Sequence, residues 1–382
     1  MEDIEDVFPL YAYTGPDNFC DREDETKELM RAVRMGRHQM IFGRRRLGKT
    51  ALIHHLFHHL QAEDKTVVTA YIDMLDTTSD GEFITQLITA VLQAVEQQTK
   101  SLLKSATKYF AGLKPTVKVD PYTMMPELTL DVAPQDVGVD TLDKLFDYLA
   151  TLKRKVVIAV DEFQQIVEYE DSTLKATLRS KIQFASNTTF LFSGSVQRVM
   201  LTLFTDVKEP FYQSTDLFPI GKIDRTVYAS FIARQFSKVG VQSTEPVIAE
   251  LLDWTQGHTY YTQALCAALL RQPSTEELSL EALNHAKLHL LRVHEHLYQQ
   301  YQALLSKRQW QLLVAIALHD GVEQITSQAF LRKQNLGAIS TVRQSLKALI
   351  DKHMVVEIFD DGVTTYDVED LLLAHWIRYR FG

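Results

Sequence analysis

The chain has 382 residues, of which 46% are hydrophobic and 23% charged, with a formal net charge of −9. That length suggests two or three domains with ample core, and the acidic balance argues against wholesale non-specific nucleic-acid binding while leaving room for a local basic face. Cys20 and Cys266 lie far apart without metal-ligand spacing, no apolar run approaches bilayer length, and the acidic start Met1–Asp6 lacks a signal-peptide pattern; a reducing cytoplasm and no membrane partner are expected.

Residues 7–21 mix apolar and turn-forming types, and Asp21-Arg22-Glu23-Asp24-Glu25 opens a helix expected to reach about Met35, with acids in its first turn. His38–Phe42 then suits a short buried parallel strand. It runs into Gly43-Arg44-Arg45-Arg46-Leu47-Gly48-Lys49-Thr50, and Ala51-Leu52-Ile53 begins a helical pattern with apolar residues at 52, 53, 56, 57 and 60. Strand, Gly-x-x-x-x-Gly-Lys-Thr and helix, in that order, predict a phosphate-binding loop. Its glycines let backbone N–H groups curl around phosphate oxygens, and the helix N-terminus adds the positive end of its dipole. The stretch from Gly43 to Ala51 is therefore expected to hold the phosphates of ATP or ADP, with Lys49 reaching the β- and γ-phosphates and the Thr50 hydroxyl ligating Mg²⁺. In many P-loop ATPases the segment ahead of the first strand holds the base. Phe19, Asp21 and Arg22 are thus adenine-side candidates, although a helix cap packed on the sheet edge suits them equally.

His54, His55, His58 and His59 follow on the same helix. Two i, i+4 pairs have metal-binding spacing. The apolar positions already define the buried face, however, and no Glu stands between the histidines in the His-Glu-x-x-His manner, so a solvated flank is expected.

Thr66–Asp73 reads as a second strand, 81–97 as a helix, and 116–119 with 128–130, around Asp120-Pro121, as an inserted β-hairpin. A helix over 140–153 precedes Lys155-Val156-Val157-Ile158-Ala159-Val160, which suits a strand buried on both faces and ends in Asp161-Glu162. Ligands of open α/β sheets collect at such strand ends. Asp161 is expected to hold the Mg²⁺ water shell opposite Thr50, and Glu162 to orient and deprotonate the attacking water. The adjacent Glu favours hydrolysis over transfer of the phosphoryl group to a substrate. Thr188–Ser195 is a further strand; Ser193 and Ser195 suit a γ-phosphate sensor or an ordinary strand-ending turn, and Arg198 a phosphate contact or a helix cap. Asp216–Gly221 is expected to close the sheet.

From Asp224 the pattern turns helical, over 225–238, 245–256 and 258–271. Such a bundle is the usual lid of these ATPases, with His258 either facing the phosphates or buried as a structural histidine. After a break at Gln272-Pro273-Ser274 comes a long helix, 280–305. Ser306-Lys307-Arg308-Gln309 has the capping-box pattern, Thr326 and Ser340 are expected to cap two more helices, and Met354–Phe359, Asp361-Gly362 and Thr364–Val368 read as a hairpin. Three helices, a hairpin and a closing helix over 369–380 form a winged helix. Its third helix offers Arg343, Lys347 and Lys352 against Asp351, yet 306–382 holds nine basic and nine acidic residues, so DNA and protein both stand as partners. The expected domains are an ATPase core (1–221), a lid (222–273), a connecting helix (274–305) and the winged helix (306–382).

Phe19-Cys20-Asp21-Arg22-Glu23, the Gly43–Thr50 loop, Asp161-Glu162-Phe163, Phe192-Ser193-Gly194-Ser195 and Gly257-His258-Thr259-Tyr260 together resemble the archaeal-type ATPase family, relatives of the STAND and AAA+ P-loop ATPases that carry a C-terminal winged helix. The resemblance spans nearly the whole chain. It implies an α/β P-loop NTPase fold with a parallel sheet in the order 5-1-4-3-2, and an ATP-driven switch. Two positions depart from the family: Thr259 stands where Pro is usual, and Gln213 where an Arg is common. The second leaves no assigned arginine finger, so hydrolysis is expected to be slow or to await a partner. An ATP-gated DNA-binding regulator and a protein-interaction switch that oligomerises with nucleotide are the alternative readings.

Overall fold

The computed structural model describes residues 7–98, 108–113, 115–119, 126–130, 132–169, 173–272, 277–360 and 362–382. The breaks expected at Asp120-Pro121, Pro273-Ser274 and Asp361 lie outside the described residues. The chain divides into two compact units, Tyr11–Ile223 and Met1–Leu10 with Asp224–Gly382.

In the first unit, β1 (Gln39–Phe42), β2 (Val68–Asp73), β5 (Val156–Asp161), β6 (Thr188–Gly194) and β7 (Asp216–Pro219) form one sheet in the order β2-β5-β6-β1-β7. Every pairing in it is parallel. Counted within this sheet, that is the 5-1-4-3-2 order expected from the family resemblance. β5 and β6 are buried at every position, which is why they read as unbroken apolar runs. β2, at the edge, alternates instead. The sheet separates two cores. On one face α1 (Glu23–Arg34) and α2 (Lys49–Glu63) cover Ile41, Val157, Ala159 and Leu191. On the other, α3 (Asp80–Gln98), α4 (Thr141–Thr151), α5 (Thr173–Phe184) and α6 (Gln197–Thr205) cover Val156, Ile158, Phe190 and Phe192. The expected inserted hairpin is present as antiparallel β3 (Pro115–Val119) and β4 (Pro126–Leu130). Parallel register brings Asp73 opposite Asp161, and Phe42 opposite Gly194, so the chemistry-bearing strand ends share one edge.

The second unit contains α7 (Arg225–Lys238), α8 (Glu245–Thr255), α9 (Thr259–Leu270), α10 (Leu280–Leu304), α11 (Lys307–Ala317), α12 (Gln328–Lys333), α13 (Ile339–Asp351), the antiparallel pair β8 (Val355–Asp360) and β9 (Val363–Val368), and α14 (Leu371–Phe381). Tyr261, Leu291, Tyr298, Trp310 and Trp376 share one core across these helices. The capping box at Ser306 is formed with Gln309. Two expected caps are corrected. Ser327, not Thr326, caps α12, because its hydroxyl reaches the Phe330 N–H (3.3 Å). α13 begins at Ile339, ahead of Ser340, and has no side-chain cap. Among the described residues no helix is long and apolar enough to cross a membrane.

Candidate active site

The site grows from the carboxyl end of β1. At Gly43 a Cβ would stand 2.6 Å from the backbone oxygen of Ile220, so only glycine lets the chain leave the sheet there. Arg46 (φ 65°) and Gly48 (φ 91°) take left-handed backbone and curl the loop back. No side chain caps α2 at Gly48, which leaves the first N–H groups of that helix facing the loop. Lys49, 6% exposed, spans the loop and donates to the Gly43 and Arg44 carbonyls, both at 3.0 Å. A cradle of N–H donors closed by a buried ammonium suits a polyphosphate.

Across the sheet edge, the Thr50 hydroxyl donates to Asp161 Oδ2 at 2.5 Å, and the Tyr71 hydroxyl donates to the same oxygen at 3.0 Å. The Glu162 N–H donates to Asp161 Oδ1 at 3.0 Å. Asp161 is only 2% exposed, so these donors compensate its buried charge. The hydroxyl of Tyr71 is pushed far up by burial, then by the charges of Asp161 and Asp73, and it stays a neutral donor. Asp73 ends β2 opposite Asp161. Burial raises the Asp73 carboxyl above the usual range, opposed by the Leu75 N–H and reinforced by Asp161, Glu162 and Asp76. Such a concentration of negative charge favours a cation. Thr50 and Asp161 lie within the reach of one ion, and Mg²⁺ characteristically takes few protein ligands beside waters and phosphate oxygens.

Glu162 follows β5 with a left-handed φ of 51°, which is uncommon without glycine and turns its side chain sharply at the strand end. Its Oε2 accepts from Ser195 Oγ at 2.8 Å and from the Gln164 amide. Arg45 Nε donates to Ser195 Oγ at 3.3 Å. Ser193 is buried in β6, and its hydroxyl has no hydrogen-bond partner among the described residues.

The remaining candidates are distributed as follows. Leu47 is buried in the core beneath the loop, and Ala51 lies in the first turn of α2. Arg22 is buried, with its guanidinium donating to Glu25 and to the Gly221 carbonyl, both at 2.6 Å. Phe19 stacks on His55 (4.1 Å between centroids). Arg198 is exposed in the first turn of α6. His258 is buried in the second unit at the start of α9, against Tyr261. The solvated flank expected for the four histidines is corrected at His55. It is buried, paired with Tyr13 Oη (2.9 Å) and His59 Nε2 (3.1 Å). Burial, then His59 and His58, lowers it to about 4, so it stays neutral. Phe19 and Tyr13 supply the cover that helix periodicity alone does not reveal. Among the described residues no group of three or more His, Cys, Asp or Glu is placed to hold a metal. Sequence reasoning missed Tyr71 and Gln164, whose roles depend on register and on a tight turn rather than on a motif.

The profile of the family described as "ATPase domain predominantly from Archaea" matches residues 19–265, and that of a "probable winged helix domain" matches residues 296–379. No curated protein matches the chain by sequence. Among solved structures, the Walker-type ATPase of Pyrococcus abyssi is similar over 97% of this chain and 99% of its own, at 18% identity and a TM-score of 0.67. The Aeropyrum pernix ORC2 protein, solved in ADPNP–ADP complexes, shares 15% identity over 99% of this chain and 98% of its own, with a TM-score of 0.55. The Aeropyrum pernix ORC1 protein, solved in complex with DNA, shares 13% identity over 98% and 96%, with a TM-score of 0.53. These structural likenesses are of fold. The family profile spans more than half of the chain, and the chain belongs to the family of ATPase domains found predominantly in Archaea.

Proposed function

We propose that this chain is a cytoplasmic Mg²⁺-dependent ATPase that acts as a nucleotide-driven conformational switch. The observation that carries the reading is the 2.5 Å approach of Thr50 to the buried Asp161, at the foot of a loop closed by Lys49. In this reading the loop from Gly43 to Ala51 binds the phosphates of ATP, and Phe19 and Arg22 border the base. Thr50 and Asp161 would hold the Mg²⁺, which when bound neutralises phosphate charge. Glu162 has its Oε2 held by Ser195 and Gln164; its other oxygen orients a water and takes the proton as water oxygen bonds to the γ-phosphorus. The bond from that phosphorus to the β,γ-bridging oxygen breaks, and ADP and phosphate leave. Ser195 fixes the carboxylate, and Ser193 is a further candidate for sensing the γ-phosphate. The partition into core (1–221), lid (222–273), connecting helix (274–305) and winged helix (306–382) belongs to the same proposal. Phosphate release from ATP by the full chain, with and without Mg²⁺, tests the enzyme. Scattering profiles with ADP and with a non-hydrolysable ATP analogue test the switch and report any nucleotide-dependent oligomer.

A second reading, ATP-gated DNA binding, is supported by the winged-helix match and by Arg343 and Lys347, both exposed on α13. It requires duplex affinity that falls steeply with salt and that weakens in the Arg343→Ala, Lys347→Ala double variant. DNA binding insensitive to ATP and to both substitutions would remove it.

A further inference from the structure

A phosphate-binding loop needs two glycines, a lysine and a hydroxyl, but not the three consecutive arginines found here. The three side chains occupy different settings: Arg46 is exposed, whereas Arg44 and Arg45 are half-buried. Arg45 reaches across 150 residues of sequence to place its Nε–H on Ser195 Oγ at 3.3 Å. Ser195 is 9% exposed and passes its only proton on to Glu162 at 2.8 Å. Filling the acceptor side of that hydroxyl aims its proton at the carboxylate and strengthens the second bond. Gln164 completes the arrangement from the other side. Its amide donates to the same carboxylate oxygen, and it packs so closely on Gly194 that a Cβ there would stand 2.5 Å from Gln164 Oε1.

Arginine has five N–H donors in a rigid plane. Only Nε is used by Arg45 among the described residues, so its two terminal amino groups remain for a phosphate held by the same loop.

We propose that Arg45 is a positioning residue that ties the phosphate loop to Glu162 through Ser195. One guanidinium would bind the terminal phosphate with its amino groups and orient the Ser195 hydroxyl with its Nε–H. The base is then oriented from the same loop that holds the triphosphate. This inference rests on the reading of Glu162 as the general base.

The test compares wild type, Arg45→Ala, Arg45→Lys, Ser195→Ala and the Arg45→Ala, Ser195→Ala double variant in the full chain. The readouts are ADP affinity by calorimetry, which also reports folding, and kcat and KM for ATP. With Arg45→Ala, ADP affinity should stay within about twofold, KM should rise severalfold and kcat should fall about tenfold, the loss of one oriented hydrogen bond. Lysine restores charge but not the fork, so Arg45→Lys should recover KM and not kcat. In the Ser195→Ala background, Arg45→Ala should lower kcat no further. Full recovery of kcat by lysine, or independent multiplication of the two losses, would overturn the relay while leaving the ATPase reading intact. ATP turnover that is absent in wild type, or unchanged in Glu162→Gln, would overturn both.

Discussion

Thr50 and Asp161 are 111 residues apart in sequence, yet the hydroxyl of one donates to the carboxylate of the other at 2.5 Å. α2 leaves β1 at the same sheet edge where β5 ends, and this one juxtaposition joins the phosphate loop to the acidic strand end. Asp161→Asn keeps an acceptor for Thr50 and Tyr71 but removes the charge. ATP hydrolysis should fall by about a hundredfold or more, and chelation of Mg²⁺ should abolish the wild-type activity. Phosphate release measured across a Mg²⁺ titration checks both.

Lys49 is held by two loop carbonyls and is almost entirely buried. In the proposed reading this ammonium meets the β- and γ-phosphates of ATP. Lys49→Ala should weaken ATP binding by about a hundredfold or more, since charge-assisted contacts to phosphate are strong. Calorimetric titration with a non-hydrolysable ATP analogue measures the loss.

Gly43 presses on the Ile220 carbonyl at the junction of β1 and β7, where the Ile220 N–H donates to the Phe42 carbonyl at 2.8 Å. Gly43→Ala forces these backbones apart and should destabilise the first unit by about 1–3 kcal/mol. Its thermal midpoint should drop, and nucleotide binding should be lost with it.

His375 stacks on Trp254 (4.2 Å between centroids, 7° between planes) and donates to the Trp254 carbonyl at 2.7 Å. Burial lowers it from 6.5 to about 4, against the raising effect of that carbonyl. The unfolded chain therefore takes up the proton first as pH falls. The stability contributed by neutral His375 is whole above about pH 6.5 and is lost as pH falls towards 4. All three tryptophans, Trp254, Trp310 and Trp376, lie in the second unit, so their fluorescence follows its unfolding alone. The melting temperature should decline from pH 6.5 to 4, and His375→Gln should flatten that decline.

Much of the first unit is legible in the sequence because its signals are local. Gly43–Thr50 has fixed spacing between two recognisable elements, and β5 and β6 are apolar throughout because both faces are covered. The strand order followed only from the family resemblance. Tyr71 was not legible as a partner of Asp161, because its position depends on the pairing of β2 with β5, in which Tyr71 faces Ala159. Arg45 and Ser195 meet across distant turns, and no periodicity encodes that. His55 was misplaced for a related reason: helix spacing shows which face is apolar but not which loop, here that of Tyr13 and Phe19, folds over the flank. The cap at Ser327 rather than Thr326 is a smaller case, in which two adjacent hydroxyls compete and backbone geometry selects one.

The most direct measurement is single-turnover hydrolysis of ATP by wild type and by Glu162→Gln, with ATP affinity determined for both. Removing a general base costs about 10²–10⁴ in rate. The expected result is therefore ATP bound with near wild-type affinity by Glu162→Gln and turned over at least about a hundredfold more slowly. Hydrolysis by Glu162→Gln at the wild-type rate would contradict the account.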